Sequence, residues 1–245
     1  MRKELLVLAK SRKPNGFCVA GIEIDISSNG QRRLSNRWLR PVTETKDNGV
    51  IGALPANACR NFGVLDLIEV DCTAYSPAFG QPENWRWAET NITTLYKCNY
   101  TPELSQFIDP AKPLWFDEKT VRDDEISIHN KNGHDMAHSL MLIKPKKLSF
   151  LLSLNTRNNA PSIKASFEVN NRIYRNIPVT DPVIFRIFKN QFPLRPNNDV
   201  EKKLFHNDDY WLTMSLSPCF GPRNSRYVLV AAVIDKTSYL QRQYR

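Results

Sequence analysis

The sequence predicts a mainly β protein with short helices, built as two small barrels in tandem. Three observations carry that reading. Short apolar or alternating segments recur, bounded by turn residues such as Lys13-Pro14-Asn15-Gly16 and Ser27-Ser28-Asn29-Gly30. A basic-aromatic segment, Arg37-Trp38-Leu39-Arg40-Pro41-Val42, returns in weaker form as Arg172-Ile173-Tyr174-Arg175-Asn176-Ile177-Pro178-Val179, which suggests two related halves. With 245 residues, 41% of them hydrophobic, the chain can fill a packed core and is too apolar for a disordered one.

Glu4 to Lys10, rich in Leu and Val, is the first expected strand. Phe17 to Ile26 is the second, with Cys18, Ala20, Ile22, Ile24 and Ile26 on the face expected to meet the core. Gly21 in mid-strand predicts a bulge or bend, which a small barrel needs. Leu34 to Val42 is the third strand. A short helix is expected over Asn57 to Phe62, and Val64 to Cys72 alternates as a fourth strand. Tyr75 to Trp87 leads through Gln81-Pro82-Glu83-Asn84-Trp85 to an edge strand.

Residues 91–137 read as a helix-containing connector, its helix opened by Thr101 as N-cap and Pro102 in the first turn. The second half, 138–245, repeats the order. Strands are expected at His138 to Lys144, Leu148 to Leu154, Ile163 to Val169, Arg172 to Val179, Tyr210 to Leu216 and Tyr227 to Ile234. Helices are expected at Val183 to Lys189, capped by Asp181-Pro182, and at Asp199 to Phe205. Five short strands with a helix between the third and fourth is the order of an OB barrel, so the expected modules are 1–90 and 138–245.

Composition narrows the function. No apolar run is long enough to span a bilayer as a helix, and the N-terminal segment reads as a strand and not a signal peptide. The five cysteines are odd in number and lack a Cys-x-x-Cys pair, which points to reduced thiols and a cytoplasmic setting. A formal net charge of +9 favours polyanionic partners, above all nucleic acid.

The first half resembles the dual OB-containing domain family of bacterial proteins. The resemblance rests on Leu8-Ala9-Lys10-Ser11-Arg12-Lys13, Phe17-Cys18-Val19-Ala20-Gly21-Ile22, Arg37-Trp38-Leu39-Arg40-Pro41-Val42 and Gln81-Pro82-Glu83-Asn84-Trp85, and covers residues 4–87. It implies nucleic-acid or nucleotide binding near prokaryotic defence genes, with a defence partner protein as a further expectation and no attached reaction.

The expected site is a groove in the first barrel lined by Lys10, Arg37, Trp38 and Arg40, with Glu83, Asn84 and Trp85 at its rim. An aromatic face beside a guanidinium can stack a base and hold its phosphate, while Glu and Asn side chains can read a base edge. The expected function is a non-catalytic binding module for single-stranded nucleic acid or a nucleotide, needing no cofactor and no metal. Two other classes stay open. Asp66, Glu69 and Asp71 with Lys10 could form the acidic set of a metal-dependent nuclease or nucleotide hydrolase, although no phosphate-binding or nuclease motif is present. A protein-interaction scaffold is the other, since OB barrels also bind proteins. His129, His134, Asp135 and His138 read as a solvated linker, because Asn132-Gly133 breaks the helix that would gather them.

Overall fold

The computed structural model describes residues 1–14, 16–44, 51–77, 80–98, 104–109, 115, 124–127, 138–204, 209–218 and 225–244. The first half contains β1 (Arg2–Lys13), β2 (Gly16–Ile26), β3 (Arg32–Glu44), the short β4 (Ile51–Gly52) and β5 (Leu54–Pro55), β6 (Leu67–Tyr75), β7 (Asn84–Trp87) and β8 (Thr93–Tyr96). Strands β1, β2 and β3 form an antiparallel meander. β3 then pairs in parallel with β7, β7 pairs with β6, and β6 returns to β1. That ring is a closed five-stranded barrel of OB type, and closure removes the open edges of the sheet.

β1 must serve two neighbours at once. Its first residues pair with β6 and its later ones with β2, with a register shift between Val7 and Ala9. Gly21 lies opposite Val7 at this bend. A Cβ at position 21 would stand 1.9 Å from the Leu6 carbonyl oxygen, so the close approach requires glycine.

The second half begins at the short β9 (Glu125–Ser127) and continues with β10 (Leu140–Ile143), β11 (Lys146–Leu154), β12 (Pro161–Val169), β13 (Arg172–Pro178), α1 (Pro182–Ile187), β14 (Val200–Lys202), β15 (Tyr210–Leu216), β16 (Ser225–Asp235) and α2 (Tyr239–Arg242). β10 and β11 together play the part of β1, interrupted at Pro145, which has no N–H for the ladder. β10 pairs with β15, β11 with β12, β12 with β13, and β15 with β16. One parallel bridge, Val179 to Val230, completes the same strand order.

Several local expectations are corrected. Residues 56–61 form successive turns and no helix, with Ala58 N–H donating to the Pro55 carbonyl and Cys59 N–H to Ala56. Within 199–204, the described part of the expected Asp199 to Phe205 helix, the only regular element is the strand β14. Its residues pair with the open edge of β11, so ladder formation overrides local propensity. In β2 the expected core face holds at Ala20 and Ile22, which are buried, and fails at Ile26, which is exposed, while Val19 on the other face is buried as well. Ile22 lies opposite Trp38, and the fully buried Leu39 lies opposite Gly21. The expected Thr101–Pro102 helix start lies outside the described residues. Nearby, β8 extends the first barrel at β6 and β9 pairs with β16 of the second.

The barrels meet along β1 and share one apolar core. Thr213 Oγ1 donates to the Leu8 carbonyl at 2.6 Å, and Ser11 Oγ meets Thr180 Oγ1 at 2.7 Å. Arg12 N–H donates to the Thr180 carbonyl at 2.8 Å. At the far end Gly63 faces Tyr244, whose Cβ would lie 2.5 Å from a side chain at position 63.

α1 starts where the sequence places it. The fully buried Asp181 carboxylate caps it, accepting from Val183 N–H and Ile184 N–H, while its other oxygen accepts from Val233 N–H at 2.8 Å. Burial pushes this carboxyl up to about 6. The folded state therefore holds the Asp181 proton more tightly than the unfolded chain, whose aspartates titrate near about 4. The resulting stability is complete below about pH 4 and is lost as pH rises through about 6, by about 3 kcal/mol. Urea denaturation between these pH values will show Asp181→Ser, which keeps a cap oxygen, lacking this part of the fall. Equal slopes in the two proteins would refute it.

Candidate functional site

A cleft of about 760 Å³ opens on the outside of the first barrel, across β2, β3 and β7. Its walls follow from strand pairing. Trp38 lies opposite Ile22, and Trp85 of β7 is the parallel partner of Pro41 and the antiparallel partner of Tyr75. The Tyr75 and Trp85 rings are tilted, with centroids 5.2 Å apart. Phe107, from a 3-10 turn over Ser105–Phe107, and His138 complete an aromatic lining.

The cleft lining carries two cations, Lys3 and Arg37, and three carboxylates, Glu23, Glu83 and Asp109. The Lys3 ammonium sits 4.1 Å from the Trp85 ring centroid and 2.6 Å from Glu23 Oε1. Arg37 Nε donates to Glu23 Oε2 at 2.9 Å, and its Nη2 reaches Asp25. These bonds, Asp25 first and Glu23 next, hold the guanidinium above its ordinary value. Asp109 accepts from Leu142 N–H at 2.9 Å, and burial raises its carboxyl above the usual range. Flat aromatic walls with a few anchored charges suit a planar π system bearing polar edges.

Of the expected groove, Arg37, Trp38, Glu83 and Trp85 meet at this cleft. Lys10, Arg40 and Asn84 do not. Lys10 is 5% exposed, its ammonium donating to the Cys59 carbonyl at 2.6 Å and the Phe62 carbonyl at 2.8 Å; burial lowers its pKa. The turns that replace the expected helix present those carbonyls to it. Arg40 is 2% exposed because the second barrel covers the end of β3. Its Nη2 meets Glu83 Oε1 at 2.8 Å and Ser139 Oγ at 3.0 Å, and Ser139 also donates to Glu83. Asn84 is fully buried, accepting from Arg40 at 3.4 Å and donating to Gln81 at 3.3 Å.

Sequence reasoning missed Lys3, Tyr75, Phe107 and His138. Extending the alternation of β6 by two residues beyond Thr73 places Tyr75 outward with Glu69 and Asp71, which was a usable signal. Nothing local marks Phe107 or His138, which reach the cleft only through the tertiary fold. His138 is thereby corrected from linker to cleft wall; His129, His134 and Asp135 lie outside the described residues.

The other acidic candidates have structural partners. Arg2 reaches Glu69 at 3.4 Å and Asp71 at 3.8 Å, and Asp66 accepts from Gly63 N–H at 2.8 Å and Cys98 N–H at 3.0 Å. Among the described residues no three or more His, Cys, Asp or Glu side chains gather as metal donors. In the second barrel Ile173 stands where Trp38 does in the basic-aromatic segment and is exposed, while the following Tyr174 is buried and stacks on Phe167 at 5.5 Å.

Among the described residues no helix is long and apolar enough to cross a membrane. A family model described as the dual OB-containing domain matches residues 3–233, spanning both barrels. No curated protein and no solved structure matches the chain.

Proposed function

The chain belongs to the dual OB-containing domain family, and from that premise we propose that it is a non-catalytic module binding single-stranded nucleic acid or a nucleotide in the Trp38–Trp85 cleft. The supporting observation is the placement of Trp38, Trp85, Tyr75 and Phe107 around one cleft on the outer face of β2, β3 and β7. OB barrels use the face of their second and third strands for oligonucleotides. The net charge of +9 adds long-range attraction, while the Glu23 and Asp25 partners keep Lys3 and Arg37 fixed near the rings. A bacterial defence setting follows from the resemblance alone.

The test is binding of a labelled single-stranded oligonucleotide, with a free nucleoside monophosphate as competitor. Loss of one stacked base in Trp38→Ala should cost about 1–3 kcal/mol, with cooperative melting retained. Competition by the mononucleotide at comparable concentration would assign the cleft to nucleotides. Unchanged affinity in folded Trp38→Ala would exclude the cleft. Turnover of oligonucleotide or nucleoside triphosphate with Mg²⁺ would move the protein to the enzyme class.

A further inference from the structure

We propose that a second cleft, between the two barrels, is a binding site for a small ligand with an apolar body and one anionic group. This cleft, of about 480 Å³, is separate in composition from the Trp38 cleft. Lys13 and Cys18 line it from the β1–β2 hairpin, Arg40 and Val42 from β3, Leu216 from β15 and Leu229 from β16. Both modules therefore contribute, and neither barrel alone would form it.

Two observations point to a ligand. The lining holds Lys13 and Arg40 and, among the described residues, no carboxylate; Glu83 neutralises Arg40 from behind, so Lys13 supplies the positive charge that favours an anion. Arg40 is also an incompletely used donor. Its Nη1 and Nη2 are bonded, but among the described residues the buried Nε has no hydrogen-bond partner. A buried donor without an acceptor is costly, and a small displacement of Arg40 into the cleft would let an oxygen of a bound anion satisfy it. Val42, Leu216 and Leu229 suit an apolar body, beside polar lining from Ser11, Gln81 and Ser217.

The ion pair behind this site divides the two clefts. Glu83 lines the Trp38 cleft, Arg40 lines the inter-barrel cleft, and Nη2 meets Oε1 at 2.8 Å. An anion on Arg40 would share the guanidinium with Glu83 and so act on the wall of the first cleft. The inter-barrel site nonetheless stands without the proposed nucleic-acid function.

Anilinonaphthalene sulfonate, an aromatic body with one anionic group, is the probe. Cys18 supplies a positional reporter, since it is half-buried in the cleft while Cys59, Cys72 and Cys98 are buried and Cys219 lies outside the described residues. The expected result is a single saturable fluorescence enhancement that protects Cys18 from N-ethylmaleimide, with the modified peptide identified by mass spectrometry. Prior modification of Cys18 should abolish the enhancement. Lys13→Glu, and replacement of the probe by neutral phenylnaphthylamine, should each weaken binding about tenfold. No saturable binding, or binding that survives Cys18 modification, would overturn the site. Equal affinity for the neutral probe together with indifference to Lys13→Glu would overturn its preference for an anion. Trp38→Ala should leave probe binding unchanged, so failure here and failure of the nucleic-acid reading are separable.

Discussion

Arg40→Ala should lower the free energy of unfolding by about 3–5 kcal/mol in urea denaturation, because it strands a buried carboxylate. Glu83 is almost fully enclosed, with Arg40 Nη2 at 2.8 Å and the Ser139 hydroxyl as its side-chain partners. Removing the guanidinium leaves that charge between the two barrels without a counter-ion. Arg40→Lys should recover only part of the loss. One ammonium cannot reproduce the fork that serves Glu83, Ser139 and Asn84 together. The double variant Arg40→Met with Glu83→Leu should regain most of it, since the unpaired charge is gone. A cost below about 1 kcal/mol for Arg40→Ala would mean that the pair is solvated, and the packing of the second barrel over β3 would need revision.

Gly21→Ala is the second substitution with a large expected effect. The added methyl would lie 1.9 Å from the Leu6 carbonyl oxygen, 2.7 Å from its carbon and 3.0 Å from Val7 Cα. All three obstacles are backbone, so no side-chain rotation relieves them. β1 and β2 must separate at the bend that lets β1 pair with β6. A loss of about 3 kcal/mol is expected, at the upper end for overpacking. At about 2–4 °C per kcal/mol for a chain of this size, the melting temperature should fall by about 6–12 °C. Gly30→Ala is the informative contrast. Gly30 has φ +80°, but a Cβ there meets nothing within 4 Å. It should cost only about 1 kcal/mol of backbone strain. Gly21 has no positive φ, so losses at Gly21 no larger than at Gly30 would show that β1 and β2 yield and that their close approach is not what demands glycine.

The strand pattern was legible because its signals are local. Tyr210–Leu216 has the expected bounds, and β2, β3, β11, β12 and β13 lie within two residues of theirs at either end. Asp181-Pro182 marked α1 for the same reason, since a cap and its helix are sequence neighbours. The resemblance was readable over residues 4–87, although the family match runs through 3–233. The site was harder. Trp38 and Trp85 could be proposed from residue type and spacing. Lys10 and Arg40 could not be placed correctly, because their environment is made by residues far along the chain. Lys10 is held by carbonyls 49 and 52 positions away, and Arg40 by Ser139, 99 positions away. A basic residue on an alternating strand looks the same in sequence whether water or a second barrel covers it.

The contact between Thr213 and Leu8 spans 205 positions, and that between Ser11 and Thr180 spans 169. During synthesis the first barrel can close its own ring once β7 has emerged, but the flank of β1 has no cover until β15 and β16 arrive. At about 5–20 residues per second, the roughly 150 residues from Trp87 to Asp235 take about 7–30 s. For that interval apolar and hydrogen-bonding groups meant for the second barrel face the cytosol or whichever compartment receives the chain. Contacts this distant in sequence also form slowly once the chain is complete. The nascent first barrel is thus a natural client for a chaperone, and the order in which the two barrels emerge becomes part of how the shared core is assembled.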